Sequence, residues 1–335
     1  MSMTKMTSRE RVLCALAGGT PDMVPLAEQF VARPVCNQLV GRPLDETVPQ
    51  RELADALGND IVKFSRNPPL FYEEVAFADG TRGIGPGRIR ARADLAAAVM
   101  PAGDEWIADA RTFLRTQRGE RAAVGGMRLG ISGVLVSMGL DNFSVALYDD
   151  RALIEELLDR YLAFAERAIQ VFCELGFDLI WCFDDFAYHS GPMFSPAVFR
   201  ELFLPRLRRA TARISVPWIF HSDGNLFPVL DDLLTLGMSG LHPIEPEAMD
   251  LAEVKRAVGR RACLIGNVSV DLLARGTPAQ VEAAVEEALA AGSPGGGYML
   301  SSGNSIPGYA KLENVRAMIA SFHQRRHRYG DAAVR

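Results

Sequence analysis

The sequence predicts a single α/β domain folded as a (β/α)8 TIM barrel, and three observations predict it. The chain has 335 residues, an ordinary length for such a barrel, which takes roughly 250 residues plus insertions. From residue 178 onward, apolar β-rich runs alternate with amphipathic stretches, and each run ends in polar or Gly-containing residues, the signature of βα units around a parallel sheet. Candidate strands over the whole chain number eight, the count that a closed barrel requires.

In chain order, the first three strands are read at Val24–Phe30, Ile61–Phe64 and Ala122–Met127. The next five are Asp178–Phe183 (DLIWCF), Val216–His221 (VPWIFH), Gly240–Ile244 (GLHPI), Ala262–Gly266 (ACLIG) and Gly297–Ser301 (GYMLS). Their continuous rather than alternating hydrophobicity suits strands covered on both faces. Between Pro68 and Arg92, F-A-D-G-T-R followed by G-I-G-P-G reads as turns joining short strands, so a hairpin insertion over the barrel mouth is expected near residues 68–92. Helices are read at about Ala152–Glu174, at Pro196–Ile214 behind a Ser195 cap, and at Thr277–Ala291, which opens on Thr277-Pro278. Residues 1–335 are read as one domain, with a frayed tail after Tyr329.

Composition narrows the function classes. A hydrophobic fraction of 48% and a charged fraction of 23% belong to a chain that buries a full core. The net charge of -5 opposes nucleic-acid binding, which needs a concentrated excess of Lys and Arg, so small molecules or proteins are the expected partners. No apolar run approaches the roughly 20 residues that span a bilayer, and Met1 to Arg11 lacks the apolar core of a signal peptide; the reading is no membrane and a cytoplasmic location. The five cysteines are scattered without C-x-x-C spacing, which favours reduced thiols over a disulfide framework or a cysteine-rich zinc site.

In a barrel, polar residues just past the strand ends share one pocket. Here they are Asp184, Asp185, Tyr188 and His189 after the strand ending at Phe183, then the His221-Ser222-Asp223-Gly224-Asn225 stretch. His242 and Glu245, Asn267, and Ser301-Ser302-Gly303-Asn304 follow at the last three strands. Two adjacent carboxylates are costly to bury without compensation; Asp184 is either a cap on the following loop, or a partner of a nearby Arg, or part of the site, and the last reading is preferred. His221 and Asp223, at i and i+2 of a strand end, point the same way, a spacing for two ligands of one metal or for a His oriented by a carboxylate. His189 and His242 are weaker candidates, and His323 and His327 are expected at the surface.

The stretch Asp184–Pro205 (DDFAYHSGPMFSPAVFRELFLP) resembles the uroporphyrinogen decarboxylase superfamily, as do HSDGN at His221–Asn225, IEP at Ile244–Pro246, LIGN at Leu264–Asn267, SSGNSIP at Ser301–Pro307 and LEN at Leu312–Asn314. That superfamily holds cofactor-free porphyrinogen decarboxylases and barrel methyltransferases that exchange methyl groups with corrinoid proteins. The resemblance implies departures from both. Where the decarboxylases carry R-Q-A-G-R, this chain has Glu28-Gln29-Phe30-Val31-Ala32-Arg33; their catalytic F-S-D is Phe64-Ser65-Arg66, and their G-H-G is Gly303-Asn304-Ser305. The cations that hold a tetrapyrrole polycarboxylate are therefore missing at the matching positions. Where thiol-activating methyltransferases have H-x-C and a second Cys, this chain has Asp223 and Ser302 or a neighbour of it, hard oxygen groups that disfavour a coenzyme M or homocysteine substrate.

The resemblance thus implies a methyltransferase or O-demethylase that moves a methyl group from a small methylated compound to a separate corrinoid protein. Asp184, Asp185, His221 and Asp223 are its expected catalytic residues. Tyr188, Glu245, Asn267, Ser302 and Asn304 are the expected substrate contacts, and His221, Asp223 and Glu245 the expected ligands of a metal, zinc. A homodimer is expected from the family's habit. Two alternatives remain at this point. A metal-free decarboxylase of a small or tetrapyrrole acid needs several arginines, such as Arg33, Arg66, Arg88 and Arg128, at the strand ends. A non-catalytic barrel needs an idle polar cluster.

Overall fold

The computed structural model describes residues 5–44, 49–77 and 82–330. One parallel sheet of seven strands organises them. In chain order the strands of the protein are β1 (Ile61–Ser65), β2 (Tyr72–Ala76), β3 (Arg82–Gly87), β4 (Ala122–Arg128), β5 (Leu179–Phe183), β6 (Ala187–Tyr188), β7 (Gly191–Pro192), β8 (Trp218–His221), β9 (Gly240–His242), β10 (Cys263–Ile265) and β11 (Tyr298–Met299). The sheet runs β1-β4-β5-β8-β9-β10-β11, with helices between successive strands, as βα units require. Two of the expected strands are shorter than the apolar runs because proline has no N–H for the ladder: β8 begins after Pro217 and β9 ends before Pro243.

The expected strand at Val24–Phe30 is instead an extended segment with single bridges, Leu26 to Leu300 and Val31 to Ile306. Side chains take the place of a ladder on its other side. Asp60 accepts from the Leu26 N–H at 2.9 Å and returns its own N–H to the Leu26 carbonyl, while the Asn59 amide bonds both the N–H and the carbonyl of Glu28. The segment therefore lies between β11 and the start of β1 without continuous pairing to either, and the sheet is a curled parallel one.

Period-two alternation sorts each strand into an inner and an outer face. Ile61, Val124, Leu179, Trp181, Ile219, Cys263, Ile265 and Met299 form one buried inner cluster, closed at the N-terminal end of the sheet by Val12, Ala15 and Leu16 of the helix Ser8–Leu16. That helix starts in a capping box between Thr7 and Glu10. Outer-face residues such as Ile180, Cys182, Phe220 and Leu241 pack with the surrounding helices in the larger core.

The helix Arg151–Leu175 forms as read, ending on Gly176 in the left-handed conformation. The next expected helix, from Pro196, contains a π-turn at Phe199–Phe203 before continuing as Leu204–Thr211; Pro205 removes the N–H that a regular turn would use there. The hairpin is present as antiparallel β2 and β3, its tip at 78–81 lying outside the described residues. It is seated on the helix Ile131–Met138: the Phe71 N–H donates to Ser137, and Gly87 lies so close to Met138 that an added Cβ would sit 2.2 Å from its carbonyl carbon. Among the described residues no single helix is long and apolar enough to cross a membrane.

Candidate active site

Register builds the site. Arg128 pairs with Phe183, Phe183 with His221, and His221 with His242 across four neighbouring strands, and paired residues of parallel strands face the same side. This row stands directly above the apolar inner cluster. Continuing the alternation by two residues brings Asp185 and Asp223 onto the same side, where His221 Nε2 lies 3.1 Å from Asp185 Oδ1 and 3.5 Å from Asp223 Oδ1.

The two carboxylates are pushed apart in acidity. Burial raises Asp223 and the nearby Asp185 and Glu245 charges reinforce it against His221, so its carboxyl is pushed up to about 6. Burial also acts on Asp185, but His221 and the Asp223 N–H, which it accepts at 3.3 Å, outweigh it and hold Asp185 below the usual carboxylate range. Asn304 Nδ2 donates to Asp223 Oδ2 at 2.6 Å, while Asp223 Oδ1 is buried without a hydrogen bond. Such a split assigns the protonated and ionised roles within a pair.

His242 is fully buried, and its Nδ1 lies 2.6 Å from His221 Nδ1. Burial, with His221 and Lys63 adding to it, holds His242 well below its ordinary value, so the imidazole is neutral and the two rings share one N–H. If His221 donates, its Nε2 lone pair faces Asp185 and Asp223; if His242 donates, Nε2 carries the proton toward them. The pairing thus decides whether His221 is a ligand or a donor.

Near the carboxylates stand two further ionisable groups, buried Glu28 and half-buried Lys63. Lys63, inward on β1, stands 4.8 Å over the Phe183 ring and donates to Gln29 at 2.7 Å; burial lowers it to about 7, opposed by Glu28. Glu28 is raised to about 7 by burial, opposed by the Ser302 N–H that it accepts at 2.9 Å. Sequence reasoning passed over Lys63. The available signal was its place in I-V-K-F-S, where the alternation that buries Ile61 turns Lys63 inward too.

Several expected residues fall elsewhere. Asp184 is one residue out of the inward alternation, and its buried carboxylate accepts from the N–H groups of Gly130, Ile131 and Ser132 and from Ser132 Oγ, at 2.7–3.3 Å, capping the helix Ile131–Met138. Glu245 is engaged by the Gly224 N–H at 2.9 Å, and the three ligand atoms that lie within 4.8 Å of one another belong to Asp185, His221 and Asp223. Asp185 therefore replaces Glu245 in the geometric metal set. Asn267 lines a separate cavity with Pro246, Ser269 and Leu272. Ser302 is buried and linked to Glu28, whereas Tyr188 is exposed at the rim beside His189, whose Nε2 is 3.7 Å from Glu245. No cysteine joins the cluster among the described residues: Cys263 sits in the apolar layer below it, and Cys182 faces the helices.

A curled parallel α/β sheet with a histidine and carboxylate cluster at its C-terminal strand ends defines the class to which this protein's architecture belongs. The model of the family described as uroporphyrinogen decarboxylase (URO-D) matches residues 74–325, and the chain belongs to that family. A methylcobamide:CoM methyltransferase, MtaA, of Methanosarcina barkeri is 31% identical over 170 residues, covering 50% of this chain and 48% of the relative. A uroporphyrinogen decarboxylase of Neisseria meningitidis serogroup C is 25% identical over 191 residues, covering 55% and 51%. The aligned part spans about half the length of these curated relatives. Among solved structures, a methyltransferase from Methanosarcina mazei superposes with a TM-score of 0.76 at 25% identity, covering 95% of this chain and 99% of that one. The chain is thus closer to the corrinoid-linked methyltransferase-like members than to the decarboxylases.

Proposed function

We propose that this protein is a methyltransferase that takes a methyl group from a small oxygen- or nitrogen-methylated compound and delivers it to a corrinoid carried by a separate protein. In this reading the curled sheet works as a (β/α)8 barrel whose eighth stave is the segment 24–31. The observation that carries it is the make-up of the strand ends. They hold a histidine and carboxylate cluster with few cations: Arg128, which bonds Ser132 at 2.7 Å and acts on Asp185 by charge, Lys63, bonded to Gln29, and Arg275 at the rim, where it meets Asp271. Of the other arginines that a decarboxylase would use, Arg33 and Arg88 are exposed and Arg66 packs between Trp106 and Phe164. Polycarboxylate recognition needs several convergent cations.

Methyl transfer from oxygen or nitrogen leaves a poor anion unless the leaving atom is neutralised. The residues present fit a divalent ion such as zinc: three nitrogen and oxygen ligands converge, Asp223 Oδ1 is buried without a hydrogen bond, and His242 can fix His221 in the tautomer that exposes Nε2. Bound there, zinc would supply Lewis acidity at the leaving atom. Asn304 holds the Asp223 carboxylate in place, His242 holds His221 through Nδ1, and Arg128 balances the charge of Asp185. With Asp223 and Ser302 replacing thiolates, the set favours oxygen or nitrogen substrates over thiols.

Elemental analysis of wild type, His221→Ala and Asp223→Ala after zinc-replete purification tests the reading. Near-stoichiometric zinc that both substitutions abolish is the expected result. A wild type that holds none would overturn the metal set and leave Asp223, raised to about 6, as the proton donor to the leaving atom.

A further inference from the structure

Away from the strand ends, the segment 98–104 and the helix Arg151–Leu175 enclose, with Trp106, a cavity of about 610 Å³ on the outer side of β1. That volume lies within the roughly 300–1,000 Å³ of small-molecule sites. Arg66 reaches it because the alternation that turns Lys63 inward turns Arg66 outward. Its guanidinium carbon lies 5.6 Å from the Trp106 ring centre and 5.4 Å from that of Phe164, and its Nε is buried without a hydrogen-bond partner.

The other cations of the cavity are neutralised by the protein. Arg167 pairs with Asp104 at 2.6 Å, and Arg160 pairs with Glu156 at 2.7 Å and donates to the Leu95 carbonyl. Arg66 has no carboxylate within ion-pairing distance among the described residues. Arg66 is half-buried, and its shielded Nε donor is left unmet by the protein, a cost that the two rings offset only in part and that an anion in the cavity would remove.

We propose that this cavity is a second ligand site, for a small carboxylate with an aromatic or other apolar body: the carboxylate on Arg66 and the body against Trp106, Phe164 and Met100. The entrance lies beside Ala163 and Val99, both exposed on the cavity's rim. None of the cluster residues Asp185, His221, Asp223 and His242 lines it, so its occupancy is separable from chemistry at the strand ends.

The test is isothermal titration of the whole protein with 1-naphthoate and with the uncharged 1-naphthalenemethanol. The expected result is one naphthoate per chain, bound at least tenfold more tightly than the alcohol, about 1.4 kcal/mol. Arg66→Met should bring the acid down to the alcohol's affinity, Ala163→Trp should block both, and His221→Ala should leave binding unchanged. Absence of naphthoate binding, equal affinity for acid and alcohol, or loss of binding in His221→Ala would each overturn the proposal. Should Arg66→Met not fold, Ala163→Trp, at an exposed helix position, decides alone: unchanged naphthoate binding there refutes the site.

Discussion

Asp184 is the residue whose role sequence and structure assign differently, and Asp184→Asn separates the two. Burial raises its carboxyl from 3.8 to about 6, against the hydrogen bonds of Ser132 and Ile131 that lower it. A group raised in this way ionises more readily in the unfolded chain, so its relative stabilisation is complete below 3.8 and is lost as pH rises through 6. At 1.36 kcal/mol per pH unit the full loss is about 3 kcal/mol at pH 8, of which roughly half is already present at pH 5. Asparagine keeps the shape and stays neutral throughout. Urea denaturation of both proteins at pH 5 and pH 8, with equal denaturant slopes, should therefore show the stability of wild type relative to Asp184→Asn falling by about 1 kcal/mol or more between the two. The variant should also retain the zinc of the wild type. A difference that stays flat with pH, or a folded variant that has lost the metal, would refute the assignment of Asp184 to the helix cap.

Other outcomes follow from the same geometry. Because His242 Nδ1 orients His221 at 2.6 Å, His242→Ala should weaken zinc ten- to a hundredfold in a chelator competition; unchanged affinity would show that the ring pair has no orienting role. Lys63 and Glu28 each oppose the other's burial shift by charge, so Lys63→Met and Glu28→Gln should each destabilise the fold and the double substitution should recover part of the loss. A double-mutant cycle at pH 7 should give a coupling of about 1 kcal/mol or more, and additive effects would show the pair to be independent. Gly224 has φ +83°, and an added Cβ would sit 2.6 Å from the Ala187 carbonyl carbon and the Tyr188 oxygen. Gly224→Ala should therefore cost more than about 1 kcal/mol in thermal unfolding and disturb the Glu245 contact; a fully stable variant would show that the loop relaxes freely.

Much of this protein was legible in its sequence because the relevant signals are local. Apolar runs fixed all seven sheet strands to within a few residues, and proline positions explain where β8 and β9 fall short. The i, i+2 spacing of His221 and Asp223 placed both on one face, whereas the expectation that Asp184 joins Asp185 in the site overlooked the alternation from Phe183 that sends Asp184 to the helix Ile131–Met138. Local pattern does not set strand register or side-chain substitution for backbone pairing. His242 stands against His221 only because β8 and β9 pair in that register, and Lys63 meets Glu28 only because the segment 24–31 is held beside β1 by Asn59 and Asp60. Asp185 rather than Glu245 comes within 4.8 Å of His221 and Asp223 because the strand ends at Phe183 and His221 are adjacent in register. The sequence by itself determined the seven strands of the sheet, but not that the segment 24–30 stays without continuous pairing. Which strand faces meet, and so which charges are desolvated together, was decided by tertiary structure alone, because burial and charge proximity depend on distances between elements that no local spacing encodes.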